Sequence, residues 1–281
     1  MIGILLISGI SYGIYISTTH TSGNEVFLST TTSVQNTGLL DYLITHFEQN
    51  HNLQVKYTAV GSGAAIQLAR DGEVDAVLVH APNLEFKLIA DGFSDQRHTL
   101  WYNYFVIAGP ASDPANITTT TTASEAFTHI YEAGRAGKAT FYSRGDQSGT
   151  NIKEEMIWNQ TGYTINPKAP WYYATGTGMA ATLFTADNDP RGYCLTDVGT
   201  FTKLKAGSPP LQKEALFNHD DLLYNPYSYL IINASRTHTS LNTAGAITFL
   251  NYLTDPATTK LVSNYKVGNF TLFNPINSTE G

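Results

Sequence analysis

Three short segments of this chain are rich in groups that donate hydrogen bonds, and each stands immediately before a stretch with helical spacing. They are Thr30-Thr31-Thr32-Ser33, Gly61-Ser62-Gly63 and Arg144-Gly145-Asp146-Gln147-Ser148-Gly149-Thr150. The first turn of a helix leaves backbone N–H groups without acceptors and carries a partial positive charge. Ser and Thr hydroxyls add donors that rotate to fit, and Gly lets the backbone come close. Such a shell suits an anion whose oxygens only accept. Arg144 is the natural formal charge, because its planar fork can donate twice to one anion, and Asp146 stands two residues on to orient it. The residues expected to contact the anion are Thr31, Thr32, Ser33, Ser62, Gly63, Arg144, Ser148, Gly149 and Thr150. A fourth segment, Trp171 to Met179, has the same character and adds Gly176, Thr177 and Gly178. Any one Ser/Thr/Gly turn is ordinarily just a helix cap. Three of like chemistry in one chain make the stronger signal.

The elements that must hold these segments follow from periodicity. Val26–Ser29 reads as a strand, and Leu39, Leu40, Leu43, Ile44 and Phe47 fall at helical spacing with Asn36 or Thr37 as the cap. Val55–Val60 is a strand, the turn at 61–63 leads into a helix ending near Asp71-Gly72, and Val74–Val79 is a near-continuous apolar run of the kind buried in parallel sheets. Phe105–Ala108 and Ala139–Ser143 are further strands. Thr118–Thr122 is a loop before a helix around Ala126–Gly134, and Asn151–Asn159 is a helix. Lys203–Asn218 looks irregular, Tyr227–Ile232 is a strand, and Ala244–Leu253 and Ala257–Asn264 are closing helices. The order strand, turn, helix, strand is that of an open α/β sheet, whose ligands gather at the carboxyl ends of the strands.

A length of 281 residues accommodates two lobes. The expected division is a signal-like or anchor segment at 1–24, a first lobe of 25–108 plus 225–281, and a second lobe of 109–224. The apolar stretch Ile2–Ile16 has no basic residue before it and is short of the roughly 20 residues of a spanning helix. The protein is accordingly expected outside the cytoplasm, secreted, periplasmic or held by that segment. Charged residues make up only 14%, which fits an exported, hydroxyl-rich surface. The net charge of −7 and the lack of any Lys/Arg cluster argue against nucleic acid. Cys194 is the only cysteine, so neither an internal disulfide nor a cysteine metal site is expected, and a buried strand position is. Sequons stand at Asn116, Asn159, Asn233, Asn269 and Asn277. No Gly-x-Ser-x-Gly elbow, cysteine nucleophile or paired-histidine motif is present, and no catalysis is expected. His80 reads as a hydrogen-bonded structural residue.

The motifs together resemble the tungstate-binding substrate proteins of ABC transporters. The resemblance runs from Thr30–Ser33 with Gly38–Leu43 through Val60–Gly63, Val77–Pro82, Tyr102-Asn103 and Phe105–Ile107. It continues through Ser143–Asp146 with Ser148–Thr150, then Trp171-Tyr172, Thr175-Gly176 and Gly178-Met179. It ends with Leu195–Asp197, Gly199-Thr200 and Asn225–Ser228, so that it covers about 26–275. It implies a two-lobed type II periplasmic-binding-protein clamshell, a tungstate or molybdate dianion as ligand, no cofactor, a monomer and an ABC-type permease as partner. Phosphate or sulfate capture by a transporter-free sensor is the alternative, and Asp146 pointing inward would favour hydrogen phosphate. Ala64 and Ala65, Asn151 and Val198 stand where the family has basic residues or His, which thins the positive charge expected at the cleft.

Overall fold

The computed structural model describes residues 23–267 and 270–276. The N-terminal apolar stretch and the sequons at Asn269 and Asn277 lie outside the described residues. Among the described residues no helix is long and apolar enough to cross a membrane.

The chain begins with β1 (Glu25–Thr31), α1 (Thr32–Thr37), α2 (Leu39–Glu48), β2 (Gln54–Val60), α3 (Ser62–Arg70), β3 (Ala76–Val79) and α4 (Pro82–Ala90). β1 pairs in parallel with β2 on one side and with β3 on the other. All four residues of β3 are buried, as the unbroken apolar run requires of a parallel strand covered on both faces. The long β4 (His98–Gly109) then leads to α5 (Ala123–Arg135), β5 (Thr140–Ser143), α6 (Gly149–Thr161), β6 (Tyr172–Ala174), α7 (Met179–Asp187), β7 (Gly192–Asp197), α8 (Val198–Lys205) and β8 (Glu214–Phe217). β9 (Tyr224–Ile231) returns antiparallel to both β3 and β4. The chain closes with α9 (Ala234–Thr237), α10 (Thr243–Thr254), α11 (Pro256–Asn264) and the short β10 (Lys266–Val267), β11 (Phe270–Thr271) and β12 (Asn274–Pro275).

The main sheet has the order β2-β1-β3-β9-β4-β7-β5-β6, with β8 and β12 also bonded to β4. β4 belongs to two neighbourhoods. Its first part, through Tyr104, pairs with β9, while Phe105–Ala108 pairs with β7. The cores change at the same place. Two clusters take their residues from the stretches around Val26–Trp101 and Tyr227–Phe273, and two from Phe105 to Leu223. Cys194 is buried in β7, where desolvation pushes its thiol up to about 12.

The first donor segment differs from the loop expected of it. β1 runs through Thr31, and Thr32 is already helical, with Thr31 Oγ1 accepting from Val34 N at 3.3 Å as the N-cap. Neither Asn36 nor Thr37 is the N-cap of the following helix, although the Thr37 hydroxyl accepts from its first amide, Leu39 N, at 3.2 Å. Those residues finish α1, and Gly38 (φ 77°) turns directly into α2. That left-handed turn needs glycine, since a side chain there would also press on Tyr265 Oη at 2.9 Å. Local propensity did not separate two helices joined by one residue from a single helix with a longer lead.

Candidate functional site

The three donor segments become three helix entries at the carboxyl ends of β1, β2 and β5. Thr31 caps α1, Gly61 precedes α3, and Ser148 caps α6, its Oγ accepting from Asn151 N at 3.2 Å. Ser33, Ser62, Ser148, Gly149 and Thr150 are all buried, which is unusual for residues that favour exposed turns. The first-turn amides of Thr32, Ser33, Ser62, Gly63 and Thr150 have no acceptor within their own helices.

Tertiary structure brings the second and third entries into contact. Gly149 N donates to Ser62 Oγ at 3.0 Å, across 87 residues of chain. Gly61 faces the carbonyl of Asp146, and Gly63 that of Gln147. Gly149 is also the residue against which His80 packs. A methyl group there would stand 2.9 Å from the His80 carbonyl and 3.1 Å from its ring, so only glycine permits this approach. Gly178, at the entry of α7, faces Thr32 Oγ1 and so reaches the first segment. Gly176 joins the Arg144 loop, its N–H donating to the Arg144 carbonyl at 2.8 Å, while no such bond ties Thr177 to that loop. Both are exposed, and the Thr177 hydroxyl is bonded to Thr175 Oγ1 at 3.1 Å.

Arg144 is buried, with its Nε and one terminal nitrogen donating to Asp146 Oδ2 at 3.1 and 2.5 Å. The other Asp146 oxygen accepts from Ser148 N at 3.1 Å. Both carboxylate oxygens therefore serve the loop itself. Asp146 holds the guanidinium and pins the turn before α6. The guanidinium also acts on two buried neighbours. It helps keep the His80 imidazole neutral and partly offsets the desolvation that raises the Asp197 carboxyl.

Three hydroxyls in this region, those of Thr32, Ser33 and Thr150, are buried and have no partner. Leaving a hydroxyl so costs about 1–3 kcal/mol, so three together are a marked departure from the rule that buried polar groups are bonded. Thr32 and Ser33 come from the first stretch of the chain and Thr150 from the second.

Further polar groups surround these donors. His80 Nδ1 lies 2.9 Å from Asn225 Oδ1, while Asn225 Nδ2 donates to Asn103 Oδ1 at 2.7 Å and to Tyr227 Oη at 3.0 Å. The imidazole stacks on Tyr227 at 4.7 Å. Burial, with Arg144 and Lys153 adding to it, pushes its pKa down to about 4. Behind the Arg144 loop, Glu154 accepts from Ser143 Oγ (2.6 Å), Tyr172 Oη (2.8 Å) and Trp158 Nε1 (3.1 Å), and burial raises its carboxyl to about 7. Ser143 Oγ in turn accepts from Gly145 N. Asn151 braces the same loop, its Oδ1 accepting from Gln147 N at 3.0 Å. Asn103 and Asn225 meet across 122 residues and stood out in the sequence only through the family resemblance, and Glu154 did not stand out at all. Among the described residues no cluster of metal-ligating side chains occurs.

Comparison with known proteins points the same way. A model of the PBP superfamily domain matches residues 17–257. A Haloferax volcanii protein provisionally named an ABC transporter anion-binding protein is 39% identical over 90% of this chain and 72% of its own. The tungstate-binding protein TupA of Peptoclostridium acidaminophilum is 33% identical over 86% of this chain and 81% of its own. Among solved structures, the tungstate-binding protein TupA of Desulfovibrio alaskensis superposes with a TM-score of 0.76 at 36% identity, covering 90% of this chain and 99% of that one.

Proposed function

The chain belongs to the PBP (periplasmic-binding-protein) superfamily, and from that membership we propose that it captures a tetrahedral oxyanion, tungstate or molybdate, between two lobes without chemical change. The observation that carries the proposal is the set of three buried, unpartnered hydroxyls, Thr32, Ser33 and Thr150, beside a guanidinium already oriented by Asp146. An oxyanion supplies the acceptors these donors lack. The two TupA relatives are named for tungstate binding, which narrows the ligand class.

The lobes we assign are 25–108 with 225–281, and 109–224, joined through β4 and β9. Thr31, Thr32, Ser33, Ser62 and Gly63 lie on the first lobe, and Arg144, Ser148, Gly149 and Thr150 on the second. An anion between them favours the closed form because only closure lets both sets donate at once. The contact between Gly149 N and Ser62 Oγ supports that closed arrangement. We place Gly176 and Gly178 at the rim and Thr177 outside the shell.

Selectivity follows from protonation and size. Tungstate and molybdate are unprotonated at neutral pH and ask only for donors. Hydrogen phosphate brings a proton that needs an acceptor, and the Asp146 carboxylate, whose Oδ2 holds Arg144 and whose Oδ1 takes Ser148 N, could serve it only through a remaining lone pair. Sulfate is also a pure acceptor but smaller, so discrimination against it would rest on the size of the cavity. Delivery to an ABC-type permease from an extracytoplasmic location completes the proposed role, as a monomer.

Isothermal titration calorimetry with tungstate, molybdate, sulfate and phosphate tests the reading. Tight binding of the first two and weak or no heat with the others is expected. Silence toward both tungstate and molybdate overturns it.

A further inference from the structure

The Asn103–Asn225–His80 chain ends, at both extremities, in a buried nitrogen with no partner: Asn103 Nδ2 and His80 Nε2. All three side chains are buried, so water offers neither end a ready remedy. The same heavy-atom positions accept hydrogen bonds in either direction, because an amide turned over in place exchanges its donor and its acceptor. In the direction described above, Asn225 Oδ1 receives a proton from His80 Nδ1. The neutral imidazole then turns a bare lone pair toward the interior at Nε2. A lone pair beside a dianion is repulsive, and it would be out of character among the donors of Thr32, Ser33, Arg144 and Thr150.

Turned over, the chain keeps the same number of bonds. Asn103 Nδ2 donates to Asn225 Oδ1, Tyr227 Oη donates to the same oxygen, and Asn225 Nδ2 donates to His80 Nδ1. The nitrogen left without a partner on Asn103 is replaced by an oxygen. That atom lies beside Gly199, 3.7 Å from where a side chain would begin there. Gly199 is in the first turn of α8, whose amides have no intrahelical acceptor. The imidazole proton is then carried on Nε2.

We infer that His80 is a further oxyanion-binding residue, a neutral donor whose Nε2–H is set toward the ligand by Asn225 and Asn103. The inference rests on the oxyanion reading above. It places a third kind of donor in the shell, besides the hydroxyls and the guanidinium. The ring lies against Gly149, between Ser148 and Thr150, and the Arg144 charge reaches it. The charged and titratable groups that act on the ring, Arg144 and Lys153, both oppose a positive imidazole, while the Asn225 bond favours it. A neutral donor adds a hydrogen bond without adding charge, and it does so at any pH well above 4.

Two measurements test this. The first is the tautomer of His80 in the intact protein labelled with ¹⁵N histidine, read from long-range ¹H–¹⁵N correlations with and without tungstate. The expected result is a neutral ring protonated on Nε2 in both states between pH 6 and 8, with the Nε2 signal shifted by tungstate. A ring protonated on Nδ1, or an Nε2 signal that does not respond while calorimetry records tungstate binding, overturns the inference. The second is a pair of variants. His80→Gln places an amide N–H near the Nε2 position, and His80→Ala removes it. Tungstate affinity is expected to stay within a few-fold for His80→Gln and to fall about 10–100-fold for His80→Ala, as loss of a hydrogen bond to a charged partner predicts. Equal losses in two variants that melt like the parent assign His80 a packing role instead and overturn the inference. If the parent protein binds neither tungstate nor molybdate, the oxyanion reading falls, and this inference with it. A tautomer on Nδ1 in a protein that does bind removes the inference alone.

Discussion

The amide of Gly149 donates to Ser62 Oγ at 3.0 Å, joining the entry of α6 to the entry of α3. The bond occupies one lone pair of the Ser62 oxygen and leaves that hydroxyl's proton available for a ligand. One side chain thus ties the two helix entries together and remains a donor. Ser62→Ala removes both roles and strands a buried amide. Tungstate dissociation measured by stopped flow is expected to accelerate by about 10–100-fold, the equivalent of about 1–3 kcal/mol. Association should change little, since affinity changes within one site are mostly changes in dissociation.

Removing an unpartnered hydroxyl should separate stability from binding. Thr150→Val keeps the shape of the side chain and deletes a buried oxygen without a partner. The ligand-free variant is expected to melt at or above the temperature of the parent, because the penalty for that oxygen disappears. Its tungstate affinity should fall. Ser33→Ala should show the same opposite signs, although loss of volume will temper the gain in stability. Thermal melts with and without tungstate, read side by side, check both halves. A variant that loses stability and keeps its affinity would place the hydroxyl outside the site.

Arg144→Lys and Arg144→Ala probe whether the fork or only the charge matters. Asp146 engages two guanidinium nitrogens through one oxygen, a geometry that Lys does not reproduce. Both variants should lose most of the melting shift that tungstate gives the parent, a shift that grows with free ligand. Lys should retain a small part of it. The full shift in Arg144→Ala would remove Arg144 from the site.

Glu154 predicts a pH dependence of stability. Its folded-state carboxyl, raised by burial to about 7, exceeds the unfolded value of 4.5. Between those values the folded protein holds the extra proton, so this group's contribution is present below 4.5 and lost as the pH rises through 7. His80 acts in the opposite sense, because its folded pKa of about 4 makes stability fall as acid charges the unfolded imidazole. The two partly cancel in the parent. The difference between the parent and Glu154→Gln isolates the first. Chemical denaturation at several pH values should show the parent losing stability relative to Glu154→Gln between pH 4.5 and 7, by no more than about 1.4 kcal/mol per pH unit. A constant difference would show that Glu154 does not titrate in that range.

Much of the chemistry was present in the order of residues alone. Hydroxyls and glycines ahead of helical spacing identify helix entries because capping is local: Ser148 and Asn151 are three residues apart, and so are Thr31 and Val34. The buried apolar run of β3 and the alternation of strand and helix required only neighbours in sequence, and they determined an α/β sheet with its donors at strand ends. What each donor faces was decided by the tertiary structure. Asp146 was readable only as a partner for Arg144 or for a ligand, and the fold shows its oxygens holding Arg144 and Ser148. Thr177 looked equal to Thr150 in composition, yet one is exposed and the other buried without a partner. His80 meets Asn225 across 145 residues, and Ser62 meets Gly149 across 87. Contacts of that range are set by how the sheet is ordered and how two cores pack against shared strands. No local period records them, so the sequence determined which groups can donate, and the fold decided which of them are buried and what each one meets.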